Sequence, residues 1–250
     1  MSEANSYLST VRRVYPGAIP TSVAVDRLLG LLQSQLGLTP GQVMSADSIC
    51  SDDLNLIEYP KRAYEMLGPF KMGGLNGFPC TGLTGMGAFA HHVPAGGAVF
   101  VFYGPHIGVT ASGAPGQVLR PGQASPSACC GAALAALKKL QANEIDPGRV
   151  TDLDYQQGTI EQIFLARRQR ICDAALPIVE ATEVMYEAIE ERIDLLASRT
   201  KYPSRYVVLM GGILINADIG EGSFVSPRRL RVLDSNDASH RNLLNDLMSA

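Results

Sequence analysis

The sequence lacks the features that mark several large classes of protein. Its 250 residues contain no run of about 18 consecutive apolar residues, so no transmembrane helix is expected. It has no basic excess, because 21 lysines and arginines stand against 24 acidic residues for a net charge of −3. A protein that binds a nucleic-acid backbone usually has such an excess. With 46% hydrophobic and 18% charged residues, the chain is also not disordered. These absences predict a globular protein with no membrane and no nucleic-acid partner.

Cysteine is scarce and odd in number. The five cysteines are Cys50, Cys80, Cys129, Cys130 and Cys172, and no CxxC pair occurs among them. Such a set in a chain of this length is not a disulfide framework, and no segment resembling a signal peptide follows Met1. We therefore expect a reducing intracellular compartment, cytoplasmic or plastid, in which thiols are free for metal binding or chemistry.

Two apolar runs and several helical stretches predict an α/β fold. Residues 97–103 and 206–215 are continuous, β-branched and apolar, which is typical of strands buried on both faces of a parallel sheet. Helical periodicity is present in three other stretches: 23–37, 132–143 and, with a break at Pro177, 159–199. The order of these elements predicts a mostly parallel sheet flanked by helices.

The expected domain organisation is simple. A single α/β domain is expected over residues 45–250, preceded by an N-terminal helical arm over residues 1–44 whose first residues are frayed. Between residues 68 and 122 glycine and proline are dense, which predicts loops whose backbone lies close to other chain segments.

Three residues stand where sites form in such sheets. His106 follows the strand at 97–103, Cys130 precedes the helix at 132–143, and Cys50 lies in a short loop two residues before Asp52. Strand ends and helix N-termini gather ligands, and a helix N-terminus favours the thiolate that a metal needs. Each residue alone also fits a packed thiol or a loop histidine. Spacing therefore indicates a Cys/His zinc site without requiring one.

The remaining histidines and cysteines have less specific signals. His91 and His92 are adjacent in a glycine-rich segment that is expected to be a loop. Three roles are open for them: a metal ligand, a proton relay, or packing and support within the loop. Cys80 is expected to be a packed thiol and Cys172 a core residue. Cys129 adjoins Cys130, and a disulfide between adjacent cysteines is strained, which argues against a redox switch.

Longer motifs resemble one known family. The segments are SICSDDLN at 48–55, GGLNGFPCTGLTGMGAFAHHVP at 73–94, YGPHIGV at 103–109, LRPGQ at 119–123 and ACCGAALAAL at 128–137. Together they resemble the limiting-CO2-inducible protein B family, the θ-type and β-carbonic-anhydrase-like enzymes, over roughly residues 45–235. The resemblance implies a β-carbonic-anhydrase-like fold.

The resemblance also implies a set of site residues. Cys50, His106 and Cys130 correspond to the zinc ligands, and Asp52 to a residue beside the metal that fills its fourth position or holds the water there. The β-class signature has an arginine two residues after this aspartate, where this chain has Leu54. The expected arginine partner is Arg120 of the LRPGQ motif, with Arg62 as the alternative.

The function implied is the reversible hydration of CO2 to bicarbonate by a zinc lyase. The alternatives are a zinc-stabilised scaffold or interaction protein without turnover, if Asp52 closes the metal site, and a zinc hydrolase of another small substrate. A homodimer is expected from the resemblance. An apolar stripe over 178–197 and the Gly211-Gly212 pair, which permits a close backbone approach, add support.

Overall fold

The computed structural model describes residues 3–55, 61–236 and 239–249, and it has alternating strands and helices. The strands are β1 (Ile19–Pro20), β2 (Val43–Ser48), β3 (Leu67–Lys71), β4 (Ala98–Tyr103), β5 (His106–Gly108), β6 (Gln117–Val118), β7 (Ser127–Ala128), β8 (Tyr206–Asn216), β9 (Ser223–Asp234) and β10 (His240–Asn242). The α-helices are α1 (Glu3–Val14), α2 (Thr21–Leu36), α3 (Gly82–His91), α4 (Gly131–Ala142), α5 (Tyr155–Ala166), α6 (Arg168–Cys172), α7 (Pro177–Arg199) and α8 (Leu244–Ser249). Short 3-10 turns lie between them, one of which is Asp53–Asn55.

The main sheet has the order β1-β9-β8-β4-β2-β3. Strands β3, β2, β4 and β8 run parallel, β5 adds a second parallel segment beside β8, and β9 is antiparallel at the far side. The prediction of a mostly parallel sheet flanked by helices is confirmed. Because Ser48, Tyr103 and Gly211 are in register, the carboxyl ends of β2 and β4 meet at one edge beside the middle of β8.

Each face of the sheet carries its own apolar core. Along β4, Val99 and Val101 pack on the face covered by α1 and α3–α7, whereas Phe100 and Phe102 pack on the face covered by α2 and α8. This is the two-residue alternation of a strand buried on both sides. None of the described helices combines the length and apolar character that crossing a bilayer requires.

Three glycines let backbones meet beneath the edge of the sheet. A Cβ atom on Gly104 would lie 1.7 Å from the carbonyl oxygen of Gly212, and one on Gly77 would lie 2.2 Å from that of Gly104. The chain between β4 and β5 can therefore cross closely over β8 before it reaches His106. Close approach is expected for this glycine-rich region, and Gly73 and Gly97 show it as well.

The structure corrects four expectations. The N-terminal residues expected to be frayed form α1, which buries Tyr7 and Val11 in the core. The segment around residues 82–91 is helix α3 and not a loop, because its glycines alternate with good helix formers and only Gly82 has a positive φ. Cys172, expected in the core, is exposed at the end of α6. Both features offered for dimerisation are also buried within the chain: the stripe of α7 packs on its own sheet, and Gly211 lies against Tyr103 and Tyr186.

Candidate metal centre

Three elements bring two thiols and one imidazole together at the edge of the sheet. Cys50 follows the end of β2, His106 begins β5, and Cys130 directly precedes α4. One ligand atom from each of these residues lies within 4.8 Å of the other two. The structure thus joins three residues that the sequence separates by up to 80 positions, at the place where parallel strands end.

This cluster is buried and its imidazole lacks a partner. Cys50, His106 and Cys130 are 5%, 1% and 2% exposed. The Nε2 atom of His106 is buried without a hydrogen-bond partner among the described residues. Buried polar atoms are rarely left so, and two sulfur atoms with one imidazole nitrogen are a donor set that zinc prefers. The residues therefore fit a zinc ion with three protein ligands.

The cluster also favours the thiolate form at Cys50. The hydrogen bond from the neighbouring Cys130 thiol is the largest influence, followed by burial acting in the opposite direction and by the His106 ring, and together they lower the pKa of Cys50 to about 4. The backbone N–H of Asn76 also donates to Cys50 Sγ over 3.1 Å. The same shared proton and burial raise the pKa of Cys130. A metal ion would replace this shared proton, because the thiolate is the ligand form.

The other ring nitrogen of His106 is bound to an amide. Its Nδ1 atom lies 2.7 Å from Oδ1 of Asn216, which ends β8 and is 4% exposed. Burial lowers the pKa of His106, but its contacts with Cys129, Cys130 and Cys50 outweigh burial and raise it overall. The contact between Nδ1 and Asn216 therefore fixes the orientation of the ring and leaves Nε2 available to a metal.

A carboxylate and a guanidinium lie beside the cluster. Arg120 Nη2 donates to Asp52 Oδ2 over 3.0 Å and to Oδ1 over 3.2 Å, while Nη1 reaches Asp53 over 2.5 Å. Asp52 Oδ2 is 4.0 Å from His106 Nε2. Burial raises the pKa of Asp52, but the Arg120 hydrogen bond and the backbone N–H of Leu54 lower it overall. Asp52 is therefore an ionised group next to the imidazole nitrogen that is available to a metal.

The structure brings Arg120, and not Arg62, to this aspartate. Arg62 pairs with Asp26 of α2, with Nη2 to Oδ1 at 2.7 Å, on a more exposed part of the surface. The position that an arginine occupies in the β-class signature is here Leu54, whose N–H binds Asp52 Oδ1 over 3.0 Å. Arg120 thus reaches Asp52 from the same chain.

A second set of ligand atoms overlaps the first. Asp52, His106 and Cys129 also have ligand atoms within 4.8 Å of one another. The Cys129 thiol is fully buried, 3.6 Å from His106 Nδ1, and donates to Asn216 Oδ1 over 3.4 Å. Because His106 Nδ1 and Cys129 are both engaged with Asn216, this set is a weaker metal site than the first.

The other sequence candidates lie outside both ligand sets. His91 and His92 are exposed at the end of α3, where His91 Nδ1 contacts the carbonyl oxygen of Gly87 over 2.7 Å. Cys80 is half-buried and belongs to neither set among the described residues.

The two thiols of the cluster belong to an apolar core. Cys50 and Cys130 belong to the same core as Met86 and Phe89, and Phe78 packs against it. Two spaces lie elsewhere: a polar cavity of about 280 Å³ between α4 and α5, and an apolar groove of about 520 Å³ beside α7. None of the three ligand residues lines either of them.

Comparison with known proteins identifies the family. The family model described as limiting CO2-inducible proteins B/C beta carbonic anhydrases matches residues 19–234. The chain belongs to this family. No protein of curated function matches the chain.

Solved structures have the same fold over nearly the whole chain. PtLCIB4, a homolog of the limiting CO2-inducible protein LCIB, is 29% identical, with a TM-score of 0.80 over 94% of this chain and 98% of that one. A mutant of PtLCIB4 matches at 29% identity and a TM-score of 0.83, covering 96% and 99% of the two chains. LCIB itself shares the fold at 17% identity and a TM-score of 0.69, covering 97% of this chain and 98% of that one.

Proposed function

We propose that this protein is a zinc-dependent carbonic anhydrase that catalyses the reversible hydration of CO2 to bicarbonate. The observation that carries the proposal is the buried Cys50–His106–Cys130 cluster, whose free Nε2 atom faces the ionised Asp52 at 4.0 Å. Membership of the family supports the same reaction. The product requires one new bond between a hydroxide oxygen and the carbon of CO2, with the negative charge passing to bicarbonate.

The three ligands would hold zinc, which lowers the pKa of water so that hydroxide is available at neutral pH. Asp52 would accept a hydrogen bond from that hydroxide and so direct a lone pair at CO2. It can do so because its carboxylate stays ionised beside Arg120. Arg120 is 18% exposed at its side chain, so the pair connects the buried centre with solvent, to which the proton from water must pass.

The geometry favours an open metal site over a closed one. Arg120 binds both oxygens of Asp52, and a metal bond from Asp52 would weaken these charge-assisted hydrogen bonds. A site closed by Asp52 as fourth ligand is structural, and it is the basis of the alternative, a zinc-stabilised scaffold without turnover. The other alternative, a zinc hydrolase of another small substrate, would use the same three ligands with a larger pocket.

One pair of measurements separates these functions. Zinc content by elemental analysis and CO2 hydration by stopped flow are measured on the same sample. One zinc per chain with rapid hydration is the expected result. One zinc per chain without hydration favours the scaffold, and hydrolysis of a small ester without hydration favours the hydrolase.

We further propose that the protein is a homodimer working in a reducing compartment, cytoplasmic or plastid. Its ligand thiols must stay reduced to bind metal. Exposed apolar side chains near α5 and α7, among them Leu153 and Leu195, are available to a second copy. Light scattering in dilute neutral buffer should give twice the 26.7 kDa of one chain. A fully active species with the mass of one chain contradicts the dimer.

A further inference from the structure

The end of β8 carries an amide that the proposed reaction does not itself use. Asn216 is 4% exposed, and its side chain makes two strong contacts in opposite directions. Its Oδ1 atom lies 2.7 Å from His106 Nδ1, and its Nδ2 atom donates to the carbonyl oxygen of Leu54 over 2.8 Å. One side chain therefore joins the imidazole ligand to the loop that carries Cys50 and Asp52.

The contact with Leu54 determines which ring nitrogen of His106 carries the proton. A carbonyl oxygen can only accept, so the end of Asn216 that faces Leu54 must be its NH2 group. The end that faces His106 is then the oxygen, which also only accepts. His106 Nδ1 must therefore carry a proton, and in the neutral ring Nε2 has the lone pair that a metal binds.

The same amide fixes the aspartate loop. The Asp52 carboxylate accepts the N–H of Leu54 over 3.0 Å, and Asn55 Nδ2 donates to the carbonyl oxygen of Cys50 over 3.2 Å. These contacts make residues 50–55 one compact turn. Asn216 holds this turn at Leu54, two residues from Asp52. It thereby fixes the position of the Asp52 carboxylate relative to the His106 ring.

We propose that Asn216 is a positioning residue that selects the metal-binding tautomer of His106 and sets the distance between His106 and Asp52. This proposal deepens the proposed function and rests on it for its catalytic part. The two ends of the amide have separate effects. The oxygen governs metal affinity, and the NH2 group governs the placement of Asp52.

Asp218, two residues further on, provides a matched control. Its Oδ1 atom accepts the N–H of Leu119 over 2.7 Å, next to Arg120, and its Oδ2 atom accepts the N–H of Ala111 over 2.8 Å. Asp218 thus holds the arginine loop from the same strand end, and none of its hydrogen bonds involves His106. Its replacement should disturb Arg120 and leave the imidazole unchanged.

The first test reads the hydrogen bond in the metal-free, reduced protein. Histidine is labelled with ¹⁵N, and the His106 signals are assigned with a His106→Gln variant. The Nδ1–H proton of His106 should be protected from exchange in the wild type, in Asn216→Asp and in Asp218→Asn. It should lose protection in Asn216→Leu, which has no acceptor. Equal protection in Asn216→Leu overturns the assignment.

The second test separates the two ends of the amide with zinc loaded. Asn216→Leu should lower zinc affinity by about 10- to 100-fold, the usual effect of removing such a partner. Asn216→Asp keeps the acceptor but loses the donor to Leu54. It should keep zinc affinity within about threefold and lower the plateau kcat of the pH profile by about tenfold, the effect of one lost hydrogen bond to a positioned group.

Each further outcome has one meaning. If Asn216→Asp loses zinc as Asn216→Leu does, or keeps full kcat, the division of roles is wrong. If Asn216→Leu fails to fold by circular dichroism, Asn216→Ala takes its place in both tests, because it also lacks the acceptor. If the wild type binds zinc but does not hydrate CO2, the proposed function fails. The tautomer assignment is then judged on Nδ1–H protection and zinc affinity alone.

Discussion

The two halves of the site are built differently. The thiol and imidazole half is at most 5% exposed and stands on regular elements: the end of β2, and the starts of β5 and α4. In the carboxylate and guanidinium half, Asp52 and Arg120 are 14% and 18% exposed at their side chains and lie on loops. The first half is rigid and excludes water, which suits the binding of a metal ion. The second half is in contact with water, which proton transfer requires.

This difference predicts how each half responds to change. Removing a buried ligand leaves the remaining donors too few for tight binding, so the effect falls on metal content. Removing a member of the exposed pair leaves the metal site whole, so the effect falls on turnover. Substitutions in the two halves should therefore give two distinct patterns of zinc content and rate.

The largest expected effect is on zinc retention. Cys130→Ala should lose most of the bound zinc, because two of three ligands remain. Its neighbour provides the control, since Cys129→Ser changes a thiol that is engaged with Asn216 and should retain zinc. Elemental analysis of both variants after dialysis checks the prediction. A full equivalent of tightly bound zinc in Cys130→Ala means that the ligand set is wrong and that Cys129 replaces Cys130.

The next effect is on turnover. Asp52→Asn keeps the size of the side chain and removes the charge that accepts a hydrogen bond from the hydroxide. It should lower kcat by about 10²-fold or more, the usual scale for a proton-handling group, with zinc retained. Asp53→Asn is the matched control, because Asp53 is 79% exposed at its side chain and pairs with Nη1 of Arg120. Equal rates in Asp52→Asn and the wild type exclude the proposed role.

The first half of the site could be anticipated from the sequence. His106 and Cys130 stand directly after an apolar strand and before a strong helix, and the edge of a parallel sheet brings such positions together. The family motifs supply Cys50, Asp52 and Arg120. The pairing of Arg120 with Asp52 could not be obtained from spacing, because 68 residues separate them and the loop at 119–123 has no periodicity.

Asn216 and Asp218 were missed for a physical reason. An asparagine at the end of a buried strand has no local pattern that distinguishes a ligand partner from a turn residue. Its role appears only when β5 pairs with β8 and places His106 beside it. The helix at 82–91 was missed for a different reason, because its three interior and terminal glycines suggested turns. Packing of Met86 and Phe89 into the core outweighs the low helix propensity of glycine.

The smallest expected effect separates the two candidate arginines. Arg120→Lys keeps the positive charge but loses the planar fork that binds both oxygens of Asp52. One lost charge-assisted hydrogen bond is worth about 1.5–3 kcal/mol, and about 1.4 kcal/mol is a factor of ten in rate. We therefore expect kcat to fall by about 10- to 100-fold, with zinc retained. Arg62→Lys is the matched control, because Arg62 binds Asp26 and has no contact with Asp52, so its rate should equal that of the wild type. Stopped-flow CO2 hydration of both variants checks this. A loss of kcat in Arg62→Lys alone would mean that Arg62, and not Arg120, is the partner of Asp52.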